Sequence, residues 1–210
     1  MSTTEKYDAH ADRWSDEQYA DSAAYLRHRA ELIVSLGPRL GTGDTVLDLA
    51  CGDAGLAEFL LPRGLDYLGV DASEPMVIAA RRRLGDRARV DVGDLNEYAP
   101  PGPVAATTCF RAIYYARDRA AFFRHVAGFT ERKLVFDLNP RQYRLEDVLA
   151  DLHAAGFDQI VLRPFFAPQR VALPRPAAAL LYALERSGPL ARAALRLRFS
   201  YLVAAFRGGV

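Results

Sequence analysis

Short apolar segments alternate with amphipathic ones along most of this chain. Residues 45–49, 66–70 and 104–109 are apolar almost throughout, which predicts strands that are buried on both faces. Between such runs, apolar residues return every three or four positions, as they do on the buried side of a helix. This alternation predicts an α/β fold with a mostly parallel, doubly wound sheet and helices on both of its faces.

The predicted elements follow one another regularly up to residue 164. Before the first strand, residues 7–36 carry apolar side chains at helical spacing and end at Gly37-Pro38, which predicts one or two amphipathic helices. Further strands are expected at residues 88–92, 133–138 and 159–164, and helices at residues 55–62, 74–84, 118–127 and 144–155.

The regular order breaks after residue 164. Prolines at positions 164, 168, 174 and 176 mark a loop, residues 177–186 and 189–198 have helical patterns, and residues 199–206 have the pattern of a final strand. The segment 165–198 is far longer than an ordinary connection between strands, and loops of this length are usually functional. We therefore predict that this insertion covers the substrate.

Size and composition indicate a single globular domain. The chain has 210 residues, of which 50% are hydrophobic and 25% are charged, an ordinary balance for a globular protein. No run approaches the ~20 apolar residues of a membrane-spanning helix, and the polar residues 1–11 lack the core of a signal peptide. Cys51 and Cys109 lie at predicted strand ends, so we expect reduced thiols and a cytoplasmic location.

The most informative stretch is residues 45–60, TVLDLACGDAGLAEFL. A buried strand carries Asp48 near its end, a turn of small residues follows, and a helical pattern starts at Leu56. Glycine in such a turn lets the backbone approach a ligand closely. Turns at the carboxyl ends of parallel strands are where open α/β sheets bind nucleotide-like ligands.

Two further acids follow later strands. Asp71 comes directly after the second apolar run, and a carboxylate there can accept hydrogen bonds from both hydroxyls of a ribose. Asp94 follows the third predicted strand. Because parallel strands end at the same edge of a sheet, we expect Asp48, Asp71 and Asp94 to converge on one ligand.

These residues, in this order, resemble the motifs of the class I S-adenosylmethionine-dependent methyltransferases. The first motif of that family is D-x-G-x-G-x-G, and Asp48, Ala50, Gly52 and Ala54 stand at its defined positions. The resemblance covers residues 40–165. It implies a seven-stranded sheet whose last strand is antiparallel, S-adenosylmethionine as the cofactor and S-adenosylhomocysteine as the product.

The resemblance also divides the single domain, residues 1–210, into four parts. Residues 1–37 would form an N-terminal helical cover, and residues 40–165 the cofactor-binding core. Residues 165–198 would be a helical insertion that covers the substrate, and residues 199–207 the final strand.

Roles for individual residues follow from the same resemblance. Asp48 would organise the loop that holds the methionine ammonium, Asp71 would bind the ribose, and Asp94 would lie near the adenine amino group. Residues after the fourth strand usually flank the methyl group, and Arg111 would pair with the methionine carboxylate. The predicted cofactor-binding residues are Asp48, Ala50, Cys51, Gly52, Asp71, Ala72, Met76, Asp94, Leu95, Phe110 and Arg111.

A dinucleotide-binding domain would have the same architecture and a similar ribose acid. It requires G-x-G-x-x-G so that the backbone can approach a pyrophosphate at a helix N-terminus. Here Asp53 lies in the turn where the pyrophosphate would sit, and the third glycine is misplaced. Because a carboxylate repels a diphosphate, whereas S-adenosylmethionine carries a sulfonium cation and no phosphate, the methyltransferase interpretation is favoured.

Few catalytic residues are expected, because methyl transfer requires mainly alignment of the acceptor and exclusion of water. A general base helps when the acceptor is a hydroxyl or a protonated amine. The candidates are Tyr114 and Asp137, which follow or end the fourth and fifth strands, and His10 and His28 in the N-terminal helices. No cysteine, histidine and acid set has the spacing of metal ligands, so no metal site is predicted.

The C-terminal segment is strongly basic. Residues 159–210 contain eight arginines and one acid, a net charge of +7 against −6 for the rest of the chain. Leucines between the arginines leave two interpretations open: a solvated helix face, or peripheral contact with anionic lipid at the inner membrane face. Nucleic acid is disfavoured as a partner, because the segment is apolar and the body around the predicted site is acidic.

The sequence therefore predicts an enzyme that transfers a methyl group from S-adenosylmethionine to a small-molecule acceptor. Aromatic residues in the N-terminal segment and the insertion favour an apolar or aromatic acceptor, and the resemblance favours methylation at oxygen. Two alternatives stay open: methylation of a lipid or quinone at the membrane surface, and a non-catalytic S-adenosylmethionine-binding protein that acts through a partner.

Overall fold

The computed structural model describes residues 19–168, 171–195 and 200–208. The chain order of strands is β1 (Thr45–Leu49), β2 (Asp66–Asp71), β3 (Arg89–Val92), β4 (Val104–Cys109), β5 (Thr130–Leu138), β6 (Gln159–Pro164) and β7 (Tyr201–Phe206). Across the sheet they lie in the order β3-β2-β1-β4-β5-β7-β6. β7 is antiparallel to both of its neighbours, and the other pairs are parallel. The predicted seven-stranded, mostly parallel sheet with an antiparallel last strand is confirmed.

Helices cover both faces of this sheet. The described helices are α1 (Ser22–Ser35), α2 (Ala57–Leu60), α3 (Glu74–Leu84), α4 (Arg119–Ala127), α5 (Leu145–Ala154), α6 (Arg175–Glu185) and α7 (Pro189–Leu195). Buried side chains of α1, α2 and α3 join one apolar cluster, and those of α4 and α5 join another on the opposite face. The doubly wound arrangement is therefore confirmed.

The central strands are buried on both faces, which explains their apolar sequences. Val46 and Leu47 in β1 have no exposed surface, and all six residues of β4 are buried. Successive side chains of a strand face opposite sides, so that Val46 joins the α1 cluster and Leu47 the α4 cluster. The carboxyl ends of β1, β2 and β4 meet at one edge of the sheet, where the loops that follow them converge.

Two of the differences between predicted and observed boundaries have clear physical reasons. β5 begins at Thr130 rather than at residue 133, because Thr130 pairs with Val104 and its hydroxyl lies 2.6 Å from that of Thr107. The predicted helix 55–62 is a single turn, α2, followed by a 3₁₀ turn at Leu61–Arg63. The proline within that turn has no N–H for a helical hydrogen bond, and Gly64 ends it with φ of 77°.

Lys133 fastens α1 to the sheet from within β5. The side chain has no exposed surface, and its Nζ donates to the carbonyl oxygens of Leu36 at 2.7 Å and Val34 at 3.3 Å. These carbonyls lie at the C-terminal end of α1, where helical carbonyls lack backbone partners. Burial lowers the pKa of Lys133 to about 7.

The long connection between β6 and β7 contains α6 and α7. α6 packs against α1, because His28 Nε2 lies 2.6 Å from Glu185 Oε2, and both side chains are buried. The ring of His28 also stacks on that of Tyr182 at 3.6 Å. Within the three described ranges, no helix combines the length and apolar character that crossing a bilayer requires.

Candidate functional site

The loop after β1 takes a left-handed backbone path. Ala50, Gly52 and Ala54 have φ values of 58°, 58° and 56°, a region that glycine enters freely and alanine enters at a cost of roughly 1–2 kcal/mol. These are the three positions at which the first methyltransferase motif, D-x-G-x-G-x-G, carries glycine. Ala50 and Ala54 therefore adopt, without being glycine, the left-handed conformation that glycine favours.

Asp71 joins the end of β2 to this loop. Its Oδ2 accepts a hydrogen bond from the N–H of Gly52 at 2.8 Å, and its Oδ1 accepts one from the N–H of Ser73 at 2.9 Å. Burial raises the pKa of Asp71, although these backbone hydrogen bonds act in the opposite direction. Each oxygen retains a lone pair for a ligand hydroxyl.

Asp48 lies in β1 directly before the loop and is 4% exposed. The hydroxyl of Tyr67 donates to it at 2.8 Å, and that of Thr108 at 2.6 Å. Burial outweighs these hydrogen bonds and raises the pKa of Asp48 to about 6. The carboxylate is therefore mostly ionised at neutral pH.

Asp53 has a different environment from the other acids of this region. It is 1% exposed, and its Oδ2 lies 2.7 Å from Nη2 of Arg83 in α3. This ion pair fastens the loop to α3, which is an architectural role rather than a ligand contact.

Asp94 lies in the loop after β3. Its Oδ1 accepts hydrogen bonds from the backbone N–H of Asn96 at 2.9 Å and from the side-chain amide of Asn96 at 2.7 Å, and its Oδ2 pairs with the guanidinium of Arg117. Burial alone would raise the pKa of Asp94, but these partners lower it. Asp94 is therefore a carboxylate at neutral pH.

These loops surround one cavity of about 350 Å³, a volume in the range of small-molecule sites. Its wall contains every residue predicted to bind the cofactor. Four separate stretches of sequence supply them: Asp48, Ala50, Cys51 and Gly52; Asp71, Ala72 and Met76; Asp94 and Leu95; and Phe110 and Arg111.

The segment after β4 forms an aromatic wall. Arg111 has φ of 53°, and its backbone N–H donates to Asp137 Oδ1 at 2.6 Å, which holds this strained position. A 3₁₀ turn at Ile113–Tyr115 follows. Its Tyr114 exposes 44% of its surface and has its ring 4.3 Å from that of Tyr115, and both line the cavity.

Helix α1 and Tyr19, two residues before its N-cap Asp21, supply wall residues that the sequence did not assign to the site. Tyr19, Leu26 and Arg29 line the cavity, and the ring of Tyr19 stacks on that of Tyr25 at 3.9 Å. The sequence held a partial signal, since Tyr25 and Arg29 lie one helical turn apart on the apolar side of a predicted helix. This periodicity does not show which strand ends the apolar side of α1 packs against.

The four predicted catalytic residues occupy different places. Tyr114 lines the cavity, whereas Asp137 is absent from its lining and binds the N–H of Arg111. His28 is 2% exposed and lies on the side of α1 that faces Glu185, away from the cavity lining. His10 lies outside the described residues. We therefore keep Tyr114 as the acceptor-facing candidate and do not carry His28 into the proposed chemistry.

Metal binding finds no support in the part of the chain that the structure describes. No three histidine, cysteine, aspartate or glutamate side chains there are grouped so that they could hold a metal ion. Cys51 and Cys109 are thiols rather than a disulfide. Burial raises the pKa of both well above the usual value, so that they are protonated at neutral pH.

Comparison with known proteins identifies relatives of this chain. A family model described as a methyltransferase domain matches residues 46–132. An uncharacterized methyltransferase of Geobacillus thermodenitrificans is 31% identical in an alignment over 184 residues, and the match covers 71% of this chain and 82% of that protein. A ubiquinone biosynthesis O-methyltransferase of Pseudomonas paraeruginosa is 29% identical in an alignment over 126 residues, and the match covers 57% of this chain and 53% of that protein. The chain spans about half the length of several curated relatives that it matches.

A solved structure shares the fold over the whole chain. The putative methyltransferase of Haloferax volcanii, solved in complex with the Trm112 methyltransferase activator, has a TM-score of 0.72 and 18% identity, and the match covers 100% of this chain and 99% of that one. The Geobacillus relative matches most of both sequences, and the motif residues gather around one cavity. The chain belongs to the class I S-adenosylmethionine-dependent methyltransferases, the family in which S-adenosylmethionine is the methyl donor.

Proposed function

We propose that this protein transfers a methyl group from S-adenosylmethionine to the oxygen of a small apolar or aromatic acceptor. The proposal rests on the position of Asp48, Asp71 and Asp94 around one cavity, whose lining also includes the rings of Tyr19, Phe110, Tyr114 and Tyr115. Carboxylates suit the cationic and hydroxylated cofactor, and aromatic rings suit a flat apolar acceptor.

The cofactor end of the cavity is proposed to work through its carboxylates. Asp71 accepts hydrogen bonds from both ribose hydroxyls while Gly52 and Ser73 hold it in place. Asp94 accepts from the adenine amino group, and the buried Met76 packs against the adenine ring. The charge of Asp48 attracts the ammonium of the methionine part.

The acceptor end is proposed to lie between α1 and the turn after β4. Bound S-adenosylmethionine supplies the methyl group as an electrophile on a sulfonium ion. Tyr19, Phe110 and Tyr115 stack against the acceptor and exclude water, and the hydroxyl of Tyr114 hydrogen-bonds the acceptor oxygen. The oxygen then forms the new C–O bond, the electron pair of the C–S bond stays on sulfur, and the acceptor proton leaves to solvent.

Methylation of a lipid or quinone at a membrane surface is the second candidate. Leu180 and Leu190 on α6 and α7 are 72% and 61% exposed, within the arginine-rich segment. Exposed leucines beside arginines suit the interface of an anionic bilayer. The name of the Pseudomonas relative, a ubiquinone biosynthesis O-methyltransferase, favours the same class of acceptor.

Binding and turnover separate these candidates. Calorimetry with S-adenosylhomocysteine tests the cofactor site, and release of S-adenosylhomocysteine from S-adenosylmethionine in the presence of phenols, catechols and hydroquinones tests transfer. The variant Tyr114→Phe is expected to lower turnover and leave the affinity for S-adenosylhomocysteine unchanged. Cofactor binding without turnover on any of these acceptors would favour the non-catalytic protein.

The membrane candidate has its own test. Co-sedimentation with phosphatidylglycerol vesicles is expected to fall at high salt and in the double variant Leu180→Glu, Leu190→Glu if the surface binds lipid. Ile78→Glu is the matched control, because Ile78 is an exposed apolar residue on α3, outside the arginine-rich segment. Equal sedimentation of all three proteins would exclude this surface as the contact.

A further inference from the structure

Asn96 connects the loop after β3 to the turn after β4. Its side-chain Nδ2 donates to Asp94 Oδ1 at 2.7 Å and to the backbone carbonyl oxygen of Tyr115 at 3.2 Å. Its Oδ1 accepts a hydrogen bond from the backbone N–H of Arg117 at 2.9 Å. One side-chain amide therefore bridges the carboxylate of Asp94 and the turn that ends at Tyr115.

The partners of Asn96 fix the orientation of its amide and use both of its side-chain N–H groups. The carboxylate of Asp94 and the carbonyl of Tyr115 accept hydrogen bonds, whereas the N–H of Arg117 donates one. A reversed amide would present a group of the wrong kind to each of them. Although Asn96 lies in the cavity wall, both side-chain N–H groups are engaged, so that its role is to join two parts of this wall.

A second contact between the same two loops is more exposed. The guanidinium of Arg117 pairs with Asp94 and Glu97, but the side chain of Arg117 is 65% exposed. Exposed ion pairs contribute little to stability, because water and salt screen their charges. Asn96 is half-buried, and its hydrogen bond to the carboxylate of Asp94 is charge-assisted. The amide of Asn96 is thus the stronger of the two connections.

The turn that Asn96 holds carries two aromatic rings of the cavity. Tyr114 and Tyr115 both line it, and their ring centroids lie 4.3 Å apart. The backbone N–H of Tyr115 donates to the carbonyl oxygen of Ala112 at 2.8 Å, which is a contact within the turn. Such local bonds shape the turn, but they do not set its distance from Asp94. The bridge through Asn96 does.

We propose that Asn96 is a positioning residue that couples the cofactor end of the cavity to its acceptor end. This inference rests on the proposed function, in which Asp94 accepts a hydrogen bond from the adenine amino group. The bound adenine holds the carboxylate, and the shared amide of Asn96 then holds the turn that carries Tyr114 and Tyr115. The acceptor wall is therefore ordered by cofactor binding before the acceptor arrives.

Hydrogen–deuterium exchange measures this coupling without an acceptor. The exchange of backbone amides in residues 113–118 is compared without ligand and with saturating S-adenosylhomocysteine, whose affinity for each protein is measured by calorimetry. The proteins are the wild type, Asn96→Ala, Asn96→Asp and the control Asn139→Ala. Asn139 is an exposed asparagine that follows β5, and its Oδ1 accepts the backbone N–H of Arg141 at 3.0 Å, a contact within its own loop.

The two substitutions of Asn96 separate the bridge from local support of the turn. A carboxylate at this position keeps an oxygen for the backbone N–H of Arg117, but it cannot donate to Asp94 or to the carbonyl of Tyr115. The alanine variant loses all three hydrogen bonds. If Asn96 only supported the turn locally, Asn96→Asp would respond to the ligand as the wild type does.

In the wild type and in Asn139→Ala, S-adenosylhomocysteine is expected to slow exchange in residues 113–118 by about 10-fold. Both Asn96 variants are expected to bind this ligand within about 10-fold of the wild-type affinity, because the carboxylate of Asp94 is still present. At saturation the slowing in residues 113–118 is lost in both variants, whereas slowing in the loop at residues 50–55 persists.

Wild-type slowing of residues 113–118 in Asn96→Asp overturns the proposal, as does a wild type that binds the ligand with no change in these residues. Loss of binding in both Asn96 variants also overturns it, because Asn96 would then belong to the adenine site itself. These results leave the proposed function intact. A wild-type protein that does not bind S-adenosylhomocysteine would instead refute the proposed function and this inference together. Circular dichroism and the thermal midpoint of each variant confirm that the protein is folded.

Discussion

The carboxylate of Asp71 accepts a hydrogen bond from the backbone N–H of Gly52 at 2.8 Å, across 19 residues of sequence. The contact ties the end of β2 to the left-handed loop after β1. Asp71 therefore shapes the loop and, in the proposed function, also binds the ribose. A substitution at this position is expected to act on both.

The variant Asp71→Asn is expected to weaken S-adenosylhomocysteine by about 10- to 100-fold, because the charged acceptor of the ribose hydroxyls becomes a neutral amide. Calorimetry measures the change. Asp66→Asn, at the exposed start of β2, is the matched control and should bind like the wild type. An unaltered affinity of Asp71→Asn would remove the ribose assignment.

Affinity for S-adenosylmethionine is expected to fall as the pH drops below about 6, the pKa of Asp48. In the proposed function, protonation of this carboxylate removes the negative charge that attracts the ammonium of the cofactor. The neutral 5′-methylthioadenosine should bind with little change over the same range. Parallel pH profiles for the two ligands would contradict a charge role for Asp48.

Asp48 is also expected to cost stability at neutral pH. Its folded pKa, about 6, is higher than that of an unfolded aspartate, so the folded state holds a proton that the unfolded state has lost between about pH 4 and pH 6. Stability from this group therefore falls as the pH rises through that window. Asp48→Asn should raise the free energy of unfolding of the ligand-free protein by about 1–2 kcal/mol at pH 7, less at pH 5, in urea titrations. Equal gains at both pH values would show that ionisation is not the cause.

The left-handed backbone at position 50 predicts a small effect of glycine and a larger, destabilising effect of valine. Ala50→Gly relieves the strained φ of 58°, which stabilises the folded state, but it also increases the conformational entropy of the unfolded chain. The free energy of unfolding should therefore change by less than about 1 kcal/mol. Ala50→Val should destabilise by about 2 kcal/mol, because branched side chains avoid this region. Ala88 has an extended φ of −161° and serves as the control, where valine should be tolerated. Thermal and urea unfolding compare these three variants with the wild type.

The lowered pKa of Lys133 predicts that this residue makes the folded protein more stable as the pH rises, which is opposite to the effect of Asp48. Its folded pKa of about 7 is below that of an unfolded lysine, so the unfolded state binds the extra proton between about pH 7 and pH 10. Between pH 7 and pH 9, the free energy of unfolding of the wild type should therefore rise by about 2 kcal/mol relative to that of Lys133→Met. Arg124→Met, an exposed change on α4, should show no such trend in urea titrations at the two pH values. A constant difference between wild type and Lys133→Met would place the lysine in a solvated environment.

The apolar runs predicted the strands well because a parallel sheet buries both faces of its central strands. The start of β5 was missed because Glu131 and Arg132 are exposed and polar. The end of a strand that is exposed to water lacks the apolar pattern of its buried part. The burial of Lys133 was not predictable either. It depends on carbonyls at the end of α1, which lies about 100 residues earlier.

The grouping of the three acids around one cavity was predictable because each lies at or just after the carboxyl end of a strand, and parallel strands bring these ends together. The cavity residues of α1 were not predictable. Helical periodicity shows which side of a helix is buried, but it does not show which element that side packs against. His28 shows the same limit. Its position in an N-terminal helix suggested a place over the cofactor, whereas the structure turns it towards Glu185, a partner 157 residues away that only the packed insertion provides.

The contact between His28 and Glu185 has a practical consequence for anyone who shortens or recombines this protein. Glu185 also accepts the backbone N–H of Phe166 at 2.6 Å, so one carboxylate joins the start of the insertion, its first helix and α1. Removal of α6 would take away Glu185 and leave the buried imidazole of His28, next to Arg29, without this hydrogen-bond partner. Chimeras that exchange the insertion between homologues must therefore carry α1 with it as one module.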